Sequence, residues 1–350
     1  MLTRIRAFLN ELILHLNRKS AGLFILKVDR KFCVAPMMNW TDRFCRFFLR
    51  LISKQSVLYS EMISTGAVIH GNSHKYLEKH NDETPVALQL GGCVPSDLAL
   101  ACKIAREFNY SEINLNCGCP SNRVQNARFG AVMMQDAQRT ADCVSAMLDA
   151  VNIPITVKHR TGIDENDSYD FLRDFVGTVS EKGCQTFLVH ARKAWLSGLS
   201  PKENRTLPKL DYEKVYRLKS DFPNLEIIIN GGVLSIEEAS QHLEKIDGVM
   251  MGREAYTNPY VLATVDRDIY QRHGEPKPRQ QIIEEYSLFI EHQLANGIKL
   301  HQLTRHILGL FHGMPMARSF RRHISENACK PNADVRVLKE ALTKTEVHLI

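Results

Sequence analysis

Cys119 stands in the segment Asn114-Leu115-Asn116-Cys117-Gly118-Cys119-Pro120, where an apolar run ends in a glycine-containing turn stiffened by proline. A thiol with a reference pKa of about 8.5 is mostly protonated at neutral pH, so it can donate a proton. The alternative is an inert small hydrophobe, a common state of free cysteine. Cys117 alternates to the other side of the chain and is expected to pack. Two further segments, Asn230-Gly231-Gly232 and Met251-Gly252-Arg253, end apolar runs in glycine. Glycines there bring backbone N–H groups close to phosphate oxygens, and Arg253 adds charge-assisted hydrogen bonds. Taken alone each is also a tight turn; together they favour a phosphate site. The chain has neither GxGxxG after a strand nor GxxxxGK[ST], so the expected ligand is a mononucleotide such as flavin mononucleotide, FMN. Lys158 and Gln89 are placed to contact the flavin's N1–C2=O and N3–O4 edges, the lysine stabilising the anionic reduced ring. A Schiff-base lysine and a plain ion pair are the alternatives for Lys158. His190 is a candidate for phosphate or ring contact, or a structural histidine.

Eight short apolar runs carry these residues: 32–35, 57–60, 86–90, 112–116, 155–158, 186–190, 226–230 and 248–251. They are rich in Val, Ile and Leu and lack clean alternation, as strands covered on both faces should be. Helical patterns at 96–108, 136–151, 169–182 and 236–246 separate most of them. The expected fold is α/β, a (β/α)8 TIM barrel with its active site at the C-terminal strand ends, and a doubly wound open sheet is the competitor. Ser96 and Ser235 read as N-caps ahead of acidic first turns. Beyond Pro276 and Pro278 only helices are expected, at 281–294, 301–310, 316–325 and 335–345. The division is an extension of unknown role (1–28), an FMN-binding barrel (29–270) and a small C-terminal all-helical domain (271–350).

Forty-five Lys and Arg against 39 Asp and Glu leave a net charge of +6, which permits a polyanionic partner without requiring one. Nine cysteines include no CxxC pair, so neither a zinc site nor a disulfide framework is expected, and a cytoplasmic location fits reduced thiols. No apolar run is long enough to span a membrane. Leu9, Leu12, Leu14 and Leu16 among Arg4, Arg6, Glu11 and Arg18 suggest a short basic amphipathic helix. It reads as a transit-like or membrane-surface segment, a dispensable extension, or the product of a start codon placed too early.

From about residue 30 to 330 the chain resembles the flavin-dependent tRNA-dihydrouridine synthases, specifically the DusA type. The motifs are APMMNWTDRFCRFFLR from Ala35, QLGG from Gln89, INLNCGCPSNRVQNARFGAVMM from Ile113, VKHRTGID from Val157, HARKAWLSGLSPKENR from His190, NGGV from Asn230 and MGREAY from Met251. The resemblance implies that NADPH reduces bound FMN, and that tRNA then enters the same face. Hydride passes from flavin N5 to uracil C6 while Cys119 protonates C5. It assigns FMN contacts to Pro36, Met37, Met38, Gln89, Lys158, His190, Asn230, Gly231, Gly232, Gly252 and Arg253. It makes Asn116 the contact to the target nucleotide and Lys202, Arg205, Arg318 and Arg321 the RNA contacts. The implied target is uridine 20 with 20a in the tRNA D-loop, extruded into the pocket; no metal, membrane or stable protein partner is implied. Asn39 departs from the subfamily's Asp, and the N-terminal extension has no counterpart. The competing readings are a dihydroorotate- or dihydropyrimidine-type dehydrogenase acting on free bases, which needs no basic RNA elements, and a non-catalytic tRNA-binding protein.

Overall fold

A computed structural model describes residues 28–346 of the chain. The amphipathic segment expected in residues 1–25 lies outside the described residues.

Eight strands are observed: β1 (Phe32–Val34), β2 (Val57–Ser64), β3 (Val86–Gly91), β4 (Glu112–Cys117), β5 (Ile155–Arg160), β6 (Thr186–His190), β7 (Glu226–Asn230) and β8 (Gly248–Met251). Each pairs in parallel with the next, and β1 pairs with β8, so the sheet is a closed barrel rather than an open one. Strand β2 runs four residues beyond its expected end because a register shift between Tyr59 and Met62 lets pairing with β3 resume.

Closure separates the two faces of every strand. Cys33, Ala35, Val57, Tyr59, Ala87, Leu188, Ile228 and Met250 form one cluster inside the barrel. Their outward neighbours, such as Val34, Leu58, Leu88, Val189, Ile229 and Met251, join the larger core beneath the helices. On β4 the inward positions are Glu112, Asn114 and Asn116, all buried. Alternation is therefore present on β4, but inverted: polar residues face the barrel axis and apolar ones face the helices.

The helices follow the expected spans with two corrections. Ser96 is not an N-cap: the helix Pro95–Ala105 begins with Pro95 and has Val94 at the cap without a side-chain bond. Proline suits the first helical position because its missing N–H would have had no partner there. Ser235 does cap Ile236–Leu243, accepting the Glu238 N–H at 3.1 Å. The helix expected at 301–310 stops at Thr304, and turns follow. There Gly309 passes so close to the loop after β8 that an added Cβ would lie 2.3 Å from the Thr257 carbonyl.

Of the C-terminal helices Arg279–Ala295, Leu300–Thr304, Ala317–Asn327 and Arg336–Glu346, the first packs on the helix after β1, Arg43–Ile52; Leu300–Thr304 and Arg336–Glu346 pack on that first helix, and Ala317–Asn327 packs on Arg336–Glu346. Phe289 stacks on Phe47 with centroids 3.8 Å apart, and the Tyr286 hydroxyl donates to the Leu303 carbonyl at 3.0 Å. Asp42 ties this region to the barrel. One carboxylate oxygen caps Arg43–Ile52 through the N–H groups of Phe44 and Cys45, both at 3.0 Å, and also faces His306 Nε2 at 3.1 Å. The other accepts from Arg305.

Burial pushes the Asp42 carboxyl up, but His306, the Cys45 N–H and Arg305 outweigh it and hold it down to about 2. The folded value lies below the roughly 3.9 of an unfolded chain, so this stabilisation is present above pH 4 and lost as pH falls toward 2. Asp42→Ala should lower unfolding free energy by roughly 2 kcal/mol at neutral pH. The difference from wild type should shrink between pH 4 and pH 2, as measured by urea unfolding.

Candidate active site

The turn after β4 holds Cys119, and four hydrogen bonds to three residues hold the turn. Asn116 Oδ1 accepts the N–H groups of Gly118 at 3.1 Å and Cys119 at 3.0 Å. Arg160 Nε donates to the Gly118 carbonyl at 3.1 Å. The Cys119 carbonyl accepts the Ala131 N–H at 2.9 Å. The approach is close at Gly130, where φ is +79° and an added Cβ would sit 2.5 Å from the Cys119 oxygen, so only glycine fits there. The thiol is half-buried, with Sγ 3.6 Å from Ser121 Oγ. Cys117 is fully buried, as its alternation required.

The pinning groups are themselves held. Asn116 Nδ2 donates to Gln89 Oε1 and Gln89 Nε2 donates to Asn114 Oδ1, each at 2.8 Å. Arg160 Nη1 spans to the Asn204 carbonyl at 3.0 Å and the Lys193 carbonyl at 3.4 Å, joining the β4 turn to the loop after β6.

Around Cys119 the mouth gathers positive charge with little acid to offset it. Lys158 Nζ donates to Asn230 Oδ1 at 3.0 Å, and Asn230 Nδ2 donates to the Met250 carbonyl at 2.7 Å. Loss of solvent, together with Arg160, lowers the Lys158 pKa to about 7, with Cys119 opposing. Burial lowers Arg160 to about 10, opposed by Cys119 and reinforced by Arg205 and Arg192. His190 is pushed well below its usual range by burial and then by Arg160, Lys158, Arg192 and Arg205, so it is neutral at pH 7. Arg205 is lowered by burial and by Arg253, whose guanidinium reaches the Arg205 carbonyl at 3.5 Å. The Arg192 side chain donates to the Pro208 carbonyl, yet its buried Nε has no hydrogen-bond partner among the described residues.

Gly231 and Gly232 follow β7 with φ of +111° and +80°, a region that side chains other than glycine's avoid. A Cβ on Gly231 would meet His190 at 2.7 Å, whereas at Gly252 the nearest atom to an added Cβ is Ala35 Cβ at 3.9 Å. Glycine N–H groups, an arginine with a buried free N–H and a cluster of cations make a donor set suited to a phosphate-bearing, anionic ligand, which FMN is.

The structure thus brings together Cys119, Asn116, Gln89, Lys158, His190, Asn230, Gly231, Arg205 and Arg253, with Gly232 and Gly252 in the same strand-end loops. Pro36 and Met37 are half-buried on the rim after β1, and Met38 is 55% exposed. Asn39 has φ of +63°, a conformation that Asn tolerates as Asp does, which accounts physically for the exchange. Lys202, Arg318 and Arg321 are exposed and carry no ion-pair partner among the described residues. Arg160, Arg192 and Asn114 are the residues that sequence reasoning passed over as contributors. For Asn114 a signal existed in the polar alternation Glu112-x-Asn114-x-Asn116. Arg160 stands beside Lys158 at the polar end of β5, but nothing local marks its role, because its three carbonyl partners come from distant loops.

A family model described as dihydrouridine synthase (Dus) matches residues 33–346. The tRNA-dihydrouridine(20/20a) synthase of Vibrio vulnificus (strain CMCP6) is 59% identical over 317 residues, 90% of this chain and 97% of that protein. The protein of the same description from Yersinia pestis is 57% identical over 314 residues, covering 89% of this chain and 91% of the relative. That from Escherichia coli (strain K12) is 56% identical over 313 residues, covering 89% and 90%.

A lysine driven to about 7 in the fold costs stability wherever the unfolded chain keeps its proton, up to its ordinary value of 10.5. Lys158→Met should therefore stabilise the flavin-free protein at pH 7, and the gain should shrink by about 1 kcal/mol per pH unit toward pH 9. Urea unfolding at pH 7, 8 and 9 checks both the sign and the slope.

Proposed function

Because the chain belongs to the dihydrouridine synthase family, we propose that it reduces uridine to 5,6-dihydrouridine in the D-loop of tRNA, at positions 20 and 20a. The observation that carries the reading is the setting of Cys119: a half-buried thiol at the barrel mouth, on a turn pinned by Asn116 and Arg160, in the field of Lys158, Arg160 and Arg205.

The glycines at 231, 232 and 252 with Arg253 would hold the phosphate of FMN. Pro36, Met37, Met38, Gln89, Lys158, His190 and Asn230 would surround its ring. When bound, the flavin supplies the hydride, drawn from NADPH, that adds to uracil C6. The chain's own part is the proton. Cys119 Sγ donates it to C5, which completes addition across the C5=C6 bond, and the thiolate left behind is stabilised by the neighbouring cations. Asn116 has spent one amide hydrogen on Gln89 and its oxygen on two backbone N–H groups, so its other N–H, which has no partner among the described residues, would donate to a carbonyl of the base. Lys202, Arg205, Arg318 and Arg321 would grip phosphates and orient the tRNA, Arg318 and Arg321 lying three apart on the helix Ala317–Asn327 of the region 271–350. Among the described residues no helix is long and apolar enough to cross a membrane, and the cytoplasm is the compartment this reading assigns.

Enzyme reduced with NADPH should be reoxidised by unmodified tRNA transcript and not by free uracil; reoxidation by uracil alone would favour a free-base dehydrogenase. Cys119→Ala should keep tRNA binding while slowing turnover about 10²–10⁴-fold, the usual contribution of a general acid. Arg318→Ala should weaken tRNA binding and flatten the plot of log Kd against log salt by about one phosphate contact. An unchanged slope would remove Arg318 from the interface.

A further inference from the structure

We infer that Glu112, Asn114 and Thr156 are positioning residues for Cys119: a one-way chain of hydrogen bonds starting at a charge inside the barrel dictates how Asn116 holds the catalytic turn. The inference rests on the role given to Cys119 above, but concerns residues that never reach the mouth.

The chain starts at Glu112, whose Oε2 pairs with Arg30 Nε at 2.6 Å. An ion-paired carboxylate only accepts. Oε1 therefore receives protons from both neighbouring hydroxyls, Tyr59 at 2.6 Å and Thr156 at 2.7 Å. A threonine hydroxyl has one hydrogen. With that hydrogen on Glu112, Thr156 Oγ1 can meet Asn114 only as an acceptor, and it takes the Nδ2–H at 2.8 Å. This turns the Asn114 oxygen toward Gln89, where it accepts from Nε2 at 2.8 Å. Gln89 must then present Oε1 to Asn116, which donates its Nδ2–H at 2.8 Å. The last link leaves Asn116 Oδ1 facing the N–H groups of Gly118 and Cys119.

An isolated carboxamide is nearly symmetric in shape and can sit either way round. Here each orientation is decided by the link below it. If any link reversed, Asn116 would face Gly118 and Cys119 with its NH₂ group, donor against donor, and the turn would come free. Glu112, Asn114 and Thr156 are fully buried and Gln89 nearly so, which excludes water as a substitute partner along the way.

Thr156→Val keeps the shape and removes the hydroxyl that sets the direction; Thr156→Ser keeps it. In the FMN-loaded enzyme, Thr156→Val should slow single-turnover reduction of tRNA about tenfold or more with KM for tRNA within about twofold of wild type, as loss of a supporting hydrogen bond does. Alkylation of Cys119 by iodoacetamide, followed peptide by peptide, should rise about threefold or more while the exposed Cys329 is unchanged. Thr156→Ser should restore both. Wild-type rate and Cys119 reactivity in a folded Thr156→Val protein, or failure of serine to rescue, would overturn the proposal. Should Thr156→Val not fold, hydrogen exchange on the wild-type enzyme decides: the Gly118 and Cys119 amides should be protected, and exchange as fast as an open loop would overturn it. If the wild-type enzyme proves unable to reduce tRNA uridine, the functional reading fails by itself, and the alkylation and exchange results still judge the positioning chain.

Discussion

A carboxylate enclosed by a parallel barrel has lost its water and must be matched by charge and hydrogen-bond donors, and Glu112 is matched on every side. Arg30, Tyr59 and Thr156 converge on it, and Arg30 also reaches Glu226 at 2.8 Å. Burial works against the Arg30 charge, but Glu112, Tyr59 and Glu226 outweigh it and keep the guanidinium firmly protonated. Buried ion pairs of this kind add little net stability over well-packed apolar residues, while removing one partner is costly. Their value lies in direction. An apolar barrel floor would pack as well, but it would leave Asn114, Gln89 and Asn116 free to adopt several mutual orientations.

At the opposite end of the same axis the balance is reversed. Lys158, Arg160, Arg192, Arg205 and Arg253 share the mouth, and Lys158, Arg160, Arg192 and Arg205 are all shifted toward their neutral forms. Such a cluster lowers the stability of the folded chain by itself and is relieved by an anionic ligand, so binding and stability are linked. A neutral His190 fits among these cations because a charged imidazole there would add to the repulsion.

The rim after β1 connects this mouth to the C-terminal helices. Trp40 stacks on Tyr256 at 4.4 Å, and the Tyr256 ring meets His306 edge-on at 5.9 Å. Asp42 joins His306 and Arg305 from the next positions along. The segment bearing Pro36, Met37 and Met38 is therefore braced by the region that carries Arg318 and Arg321. A tRNA held on the helices would load the same braces that shape the mouth.

Much of this was legible in the chain before folding. Seven strand ends that carry candidate residues, the glycine pairs and Cys119 could be read locally, because strands buried on both faces form short apolar runs and catalytic loops follow them. Ser96 misled because a capping residue and a proline competed for neighbouring positions, and the proline took the first turn. The helix expected at 301–310 ends at Thr304, and the turns that follow bring Gly309 against the Thr257 carbonyl, more than forty positions away, an approach that no local pattern records. The sequence by itself determined the eight strands and the residues at their mouth ends, since period, propensity and glycine placement act over a few residues. Only the closed barrel decided that Glu112, far from the mouth, orients Asn116, and that Arg160 ties the Cys119 turn to the loop after β6. Those hydrogen bonds join strands and loops dozens of residues apart, and they exist only once closure has brought the strands into register and removed the water between them.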